Sequence, residues 1–151
     1  MSLHRLVTDS AARFPDNTAV VAPDGSLLTY RQLDADADAF ARRLTAAGVR
    51  RGDRVVIWSA KSARVVVAMQ AVLRLGAVYV PADSTVPAYR VALMVGDCQA
   101  AVVCTTAQRI PEFAATVVDL DGPLSKGEPV AHVASADDDP AYILYTSGST
   151  G

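Results

Sequence analysis

Apolar residues at Leu3, Leu6, Val7, Ala11 and Phe14 fall three or four positions apart, the spacing of one helical face, and predict an amphipathic helix over residues 3–14 that Pro15 ends. Two short apolar runs, 18–22 and 27–30, flank the turn signal Pro23-Asp24-Gly25-Ser26 and predict a small β-hairpin. From 31 to 47 the helical period returns. Leu33, Ala37, Phe40, Ala41 and Leu44 make one face, Asp34, Asp38 and Arg42 lie on the opposite side, and Gly48 caps the end.

The middle of the chain alternates strand and helix. Residues 54–59 predict a strand, and Ser62 caps a helix that runs to Leu75 with Val65, Met69, Val72 and Leu73 as its buried stripe. Gly76 closes that helix before a strand at 77–81. Pro87 opens a helix over 88–97, whose buried side is expected to carry Val91, Leu93 and Met94, and 100–105 is a further strand. Repeated β-α-β units with apolar strands predict an α/β fold: a parallel sheet with helices on both faces. Beyond Thr106 the pattern weakens to a strand at 116–120 and a long surface connection at 121–137 containing Gly122, Pro123, Gly127 and Pro129. A last apolar run, Ala141-Tyr142-Ile143-Leu144-Tyr145, predicts a buried strand. No internal repeat or low-complexity segment interrupts this order.

Composition narrows the picture. A chain of 151 residues, 51% hydrophobic, suffices for one domain with a real core but is short for an enzyme that must hold two substrates and a nucleotide. A net charge of −2 with acids and bases intermixed gives no electrostatic footprint for nucleic acid. The amino terminus lacks the apolar core of a signal peptide, and no apolar run approaches the ~20 residues of a spanning helix, so a soluble cytoplasmic protein is expected. Cys98 and Cys104 have no histidine nearby in sequence, since His4 and His132 lie far away, and metal ligation has little support. Cys104 reads as a small core residue, Cys98 as a helix end and His132 as a solvated loop residue. Asp137-Asp138-Asp139 suggests a metal site at first sight. Five strand residues at ~3.3 Å each separate these acids from the hydroxyl-rich end of the chain, however, and a solvated strand entrance accounts for them better.

That chain end is Thr146-Ser147-Gly148-Ser149-Thr150-Gly151. A strand opening into hydroxyls and glycines presents OH groups and unhindered backbone N–H groups at its carboxyl end, which suits a phosphate chain. It is not a Walker A loop, because no Gly-Lys-Ser/Thr follows a Gly-x4 spacer. Taken alone, the six residues read as a Ser/Gly linker. The apolar run ahead of them favours the phosphate loop.

The block from Pro140 to Gly151 closely resembles the phosphate-loop signature of adenylate-forming (AMP-binding) enzymes, which include nonribosomal peptide synthetase adenylation domains, acyl-CoA synthetases and luciferases. Leu28-Thr-Tyr-Arg-Gln-Leu33 resembles the first core motif of adenylation domains, and Leu73-Arg-Leu-Gly-Ala-Val-Tyr-Val-Pro-Ala-Asp83 the second; both read as scaffold. The resemblance covers essentially the whole chain but only the opening part of the family's large N-terminal domain, so 1–151 is expected to be a partial subdomain ending inside the phosphate loop. The natural protein is expected to continue past Gly151, and this piece alone to be inactive. The resemblance implies ATP-dependent conversion of a carboxylic acid to an acyl adenylate with release of pyrophosphate, then capture by a thiol. Thr146, Ser147, Gly148, Ser149, Thr150 and Gly151 would bind the phosphates. Mg2+ and a cationic side chain beyond Gly151 are expected to share the charge, since Lys61 and Lys126 are not placed near the loop by sequence.

The motif forms look more like amino-acid-activating domains, which implies an amino or aryl acid substrate, a carrier protein with a phosphopantetheine arm and, among partners, a small MbtH-like activator. An acyl- or aryl-CoA ligase is the alternative within the family. A noncatalytic half domain or nucleotide-binding interaction module is the alternative of another class. Catalytic and substrate-pocket residues are expected outside the chain.

Overall fold

In the computed structural model, which describes residues 2–106 and 113–146, the chain opens with helix α1 (Leu3–Arg13), the strands β1 (Thr18–Val21) and β2 (Leu27–Thr29), and helix α2 (Tyr30–Ala46). Next along the chain come β3 (Arg54–Trp58), α3 (Ala63–Arg74), β4 (Val78–Ala82), α4 (Ala88–Cys98), β5 (Val102–Thr105) and β6 (Thr116–Asp119). β1 and β2 form an antiparallel hairpin, and the other four strands form a parallel sheet in the order β4-β3-β5-β6. The predicted α/β architecture is the one observed.

Alternation along the strands divides the core between two faces. Val55 and Ile57 of β3 point into a cluster with Phe40 and Leu44 of α2 and Ala68, Ala71 and Val72 of α3. Val56 and Trp58 point the other way, against Val91, Met94 and Val95 of α4. Cys104 is fully buried on the first face, and burial pushes its thiol up to about 12, so it is packing material as its apolar neighbours predict.

Local signals set the helix boundaries. The Thr29 hydroxyl accepts the Gln32 N–H while the Gln32 side chain accepts the Thr29 N–H, a capping box that starts α2. The first motif, 28–33, is therefore a strand-to-helix junction. Ser62 accepts from Val65 N–H at the start of α3, and Pro87 precedes α4.

Several expectations are corrected. On α1, Leu3, Leu6 and Phe14 are exposed and His4 is the buried residue, because the helix is rolled to turn His4 and Val7 toward the core. On α4, Leu93 is 67% exposed while Val95 is buried. Residues 91, 94 and 95 share a face by i, i+3, i+4 spacing, and position 93 lies across the helix from 91. Val65 and Met69 are half-buried, and Val67, Ala68 and Ala71 carry the burial of α3, which is apolar nearly all round. Asp34 and Asp38, on the side of α2 away from its apolar face, are not free: both bind the buried Arg74, and Asp34 keeps 37% of its side chain exposed. The final apolar run forms a single parallel bridge, Tyr79 to Tyr142, and Tyr142, Leu144 and Tyr145 are exposed. Among the described residues β4 is its one strand neighbour, which leaves the outer side of the run uncovered.

Candidate functional site

The Ala141–Thr146 segment reaches its place through Tyr79. The Tyr79 N–H donates to the Ala141 carbonyl at 3.2 Å, the Ile143 N–H donates to the Tyr79 carbonyl at 3.0 Å, and the Tyr79 and Tyr142 rings stack at 5.5 Å. This pairing is parallel to β4, so the segment emerges at the carboxyl end of the sheet, where open α/β sheets hold their ligands.

There the segment meets α4. The Tyr145 hydroxyl donates to Asp97 Oδ2 at 2.6 Å, and loss of solvent together with this carboxylate raises the phenol above its ordinary range. Tyr145 therefore stays a neutral donor and fixes the segment just before Thr146. β4 ends in Pro81-Ala82-Asp83, where Asp83 Oδ2 accepts the Thr85 hydroxyl at 2.8 Å and the Thr85 N–H at 3.1 Å. These bonds hold its carboxyl below the usual range. Between this turn, α4 and Thr146 lies a cleft of about 640 Å³ with a largely apolar floor and Arg90 on its rim.

Of the predicted phosphate-binding residues, the structure places Thr146 on this cleft, exposed, at the carboxyl end of the sheet. Ser147, Gly148, Ser149, Thr150 and Gly151 lie outside the described residues. The acidic run sits at the other end of the segment, where Asp139 binds Arg51 at 2.8 Å and accepts the Ala136 N–H at 2.9 Å. That is the strand entrance expected. Among the described residues no group of three or more His, Cys, Asp or Glu is arranged to hold a metal ion. No helix among them is long and apolar enough to cross a membrane.

Two features escape sequence reasoning. Arg74 Nη1 donates to the Asp34 carbonyl at 2.9 Å and to Asp38 Oδ1 at 2.8 Å, and Nη2 donates to Asp34 Oδ1 at 2.6 Å. The i, i+4 pair of acids on α2 is the signal that could have revealed a shared cation. His132 is not simply solvated: its Nε2 lies 3.4 Å from Asp38 Oδ1 and its ring meets the buried His4 edge-on at 5.2 Å.

Comparison with known proteins fits this geometry. The family model described as AMP-binding enzyme matches residues 7–151. The L-proline--[L-prolyl-carrier protein] ligase of Pseudomonas fluorescens is 42% identical over 99% of this chain. A crystal structure of the nonribosomal peptide synthetase FmoA3 in its alpha-methyl-L-serine-AMP bound form superposes over 98% of this chain with a TM-score of 0.85 and 30% identity. The N-terminal subdomain of Klebsiella oxytoca NpsA superposes over 99% with a TM-score of 0.86 and 28% identity. The chain spans 33% of the length of the prolyl ligase, 17% of the FmoA3 chain and 40% of the NpsA subdomain.

Proposed function

Because the chain belongs to the AMP-binding enzyme family, we propose that the complete protein activates an amino acid or a related carboxylic acid with ATP and delivers it to a carrier protein. In the first half-reaction a carboxylate oxygen attacks the α-phosphorus and pyrophosphate leaves. In the second, the carrier's phosphopantetheine thiolate attacks the acyl carbon and AMP leaves. Residues 1–151 would form the opening part of the large N-terminal domain, contributing scaffold and the entry to the phosphate loop.

The observation that carries this reading is the parallel seating of Ala141–Thr146 beside β4, which delivers Thr146 to the carboxyl end of the sheet. Hydroxyls and backbone N–H groups of Thr146, Ser147, Gly148, Ser149, Thr150 and Gly151 would donate to oxygens of the departing pyrophosphate. Donors fixed in advance stabilise the charge that develops there without reorienting. Hydroxyls do not neutralise several negative charges, so Mg2+ and a cation from outside this chain complete the proposal. The ion would be held in part by the phosphates themselves.

The amino-acid and carrier-protein assignment follows the prolyl-carrier ligase and peptide synthetase relatives. An MbtH-like activator is an optional partner in this scheme. The test is carboxylate-dependent ATP–pyrophosphate exchange by the complete protein, followed by thioester formation with carrier protein or with CoA. Exchange with an amino or aryl acid and faster loading of the carrier are expected. Faster CoA-thioester formation would instead make the protein a CoA ligase, and ATP binding without exchange would favour a noncatalytic module.

A further inference from the structure

Arg74 ends α3 with a side chain that no solvent reaches. A buried guanidinium is tolerated where its charge is met, and Asp34 and Asp38 meet it from α2. Its main chain faces elsewhere. The Arg74 carbonyl accepts the Val133 N–H at 2.8 Å, and its partner Asp38 lies 3.4 Å from His132. One residue thus grips α2 with its side chain and the 130–141 connection with its backbone.

The turn after α3 lets the connection lie close. Gly76 has φ +68°, and a Cβ there would stand 2.9 Å from Val133 Cγ1, so a side chain would push the connection away. From Val133 the connection runs to Asp139, held by Arg51, and then to Ala141 and Ile143, both bonded to Tyr79 of β4. The end of α3 fixes where the connection arrives. β4, starting from the same turn, fixes where it leaves toward Thr146.

We propose that Arg74 is a positioning residue for the phosphate-binding loop, acting at a distance by locking the 130–141 connection to the α3–β4 turn and so setting how Ala141–Thr146 seats on β4. The inference rests on the adenylation reading of that loop. A purely structural Arg74 would lower stability alone. A positioning Arg74 misplaces the donors that meet the departing pyrophosphate, an interaction strongest in the transition state, and so appears in kcat more than in KM for ATP.

The experiment compares the complete protein with Arg74→Met, Arg74→Lys and Asp38→Asn. It reads KM for ATP and kcat in carboxylate-dependent ATP–pyrophosphate exchange, and amide hydrogen exchange at Val133 and Ile143. Arg74→Met is expected to lower kcat roughly a hundredfold, as a small misplacement can, with KM for ATP moving far less and both amides exchanging faster. Arg74→Lys, a cation without the planar fork, is expected to recover part of the loss. A folded Arg74→Met protein with wild-type kcat or wild-type Ile143 exchange overturns the inference. Should Arg74→Met not fold, Asp38→Asn decides: a smaller fall in kcat with faster Val133 exchange supports it, and no change overturns it. Absence of exchange in the wild type would instead contradict the adenylation reading, while the Ile143 amide still decides whether Arg74 seats the segment.

Discussion

His4 shows how little a residue type discloses without its neighbours. Burial, reinforced by His132, Arg74 and Arg5, lowers the His4 imidazole below its ordinary value. Above a pH of about 6.5 both folded and unfolded chains carry it neutral; as the pH falls through that value the unfolded chain takes up the proton first, and stability is lost. His4→Leu should therefore flatten the acid limb of the stability profile. Measured by thermal midpoint, the variant should gain on the wild type between pH 8 and pH 5, and parallel profiles would rule this account out. At the loop, Thr146→Ala with Ser147→Ala should cost adenylation roughly a hundredfold, the scale of losing preorganised donors, with little change in midpoint because Thr146 is exposed. Unchanged turnover would remove the phosphate role. Cys104 could be read from its apolar neighbours. Arg74 could not, because the acids that neutralise it belong to a helix far upstream and only tertiary packing brings them together.

Elements were most legible where a local rule governs them. Thr29 and Gln32 sit three apart and make their capping box from residues adjacent in sequence, so the start of α2 follows from the string itself. Thr29→Ala in the complete protein should cost about 1 kcal/mol, read by denaturant titration, and a neutral result would mean that tertiary contacts alone hold that junction. The faces of α1 and α4 were less legible. Their apolar positions are numerous enough to permit more than one buried stripe, and the choice between Leu93 and Val95 falls to the sheet face that Val91 and Met94 must cover. The run from Ala141 to Tyr145 has the composition of a buried strand, yet burial needs a neighbour on each side, and among the described residues it has β4 on one side alone.

Across the whole molecule, the alternation of strands and helices specified a parallel α/β sheet, while its order, with β3 central and β4 beside the loop-bearing segment, came from the structure alone. That order sets where the proposed chemistry would lie. It places the entry to the hydroxyl-rich loop at the carboxyl end of the sheet, next to a cleft bounded by α4. The family model matches residues 7–151, and the chain covers 33% of the prolyl ligase, so the acid and the thiol acceptor of the proposed reaction are to be found by assay. The most direct test is a structure of the complete protein with a nonhydrolysable ATP analogue. The account predicts β- and γ-phosphate oxygens within hydrogen-bond distance of Thr146 and the five residues after it. Phosphates held elsewhere, with those residues turned into bulk solvent, would contradict it.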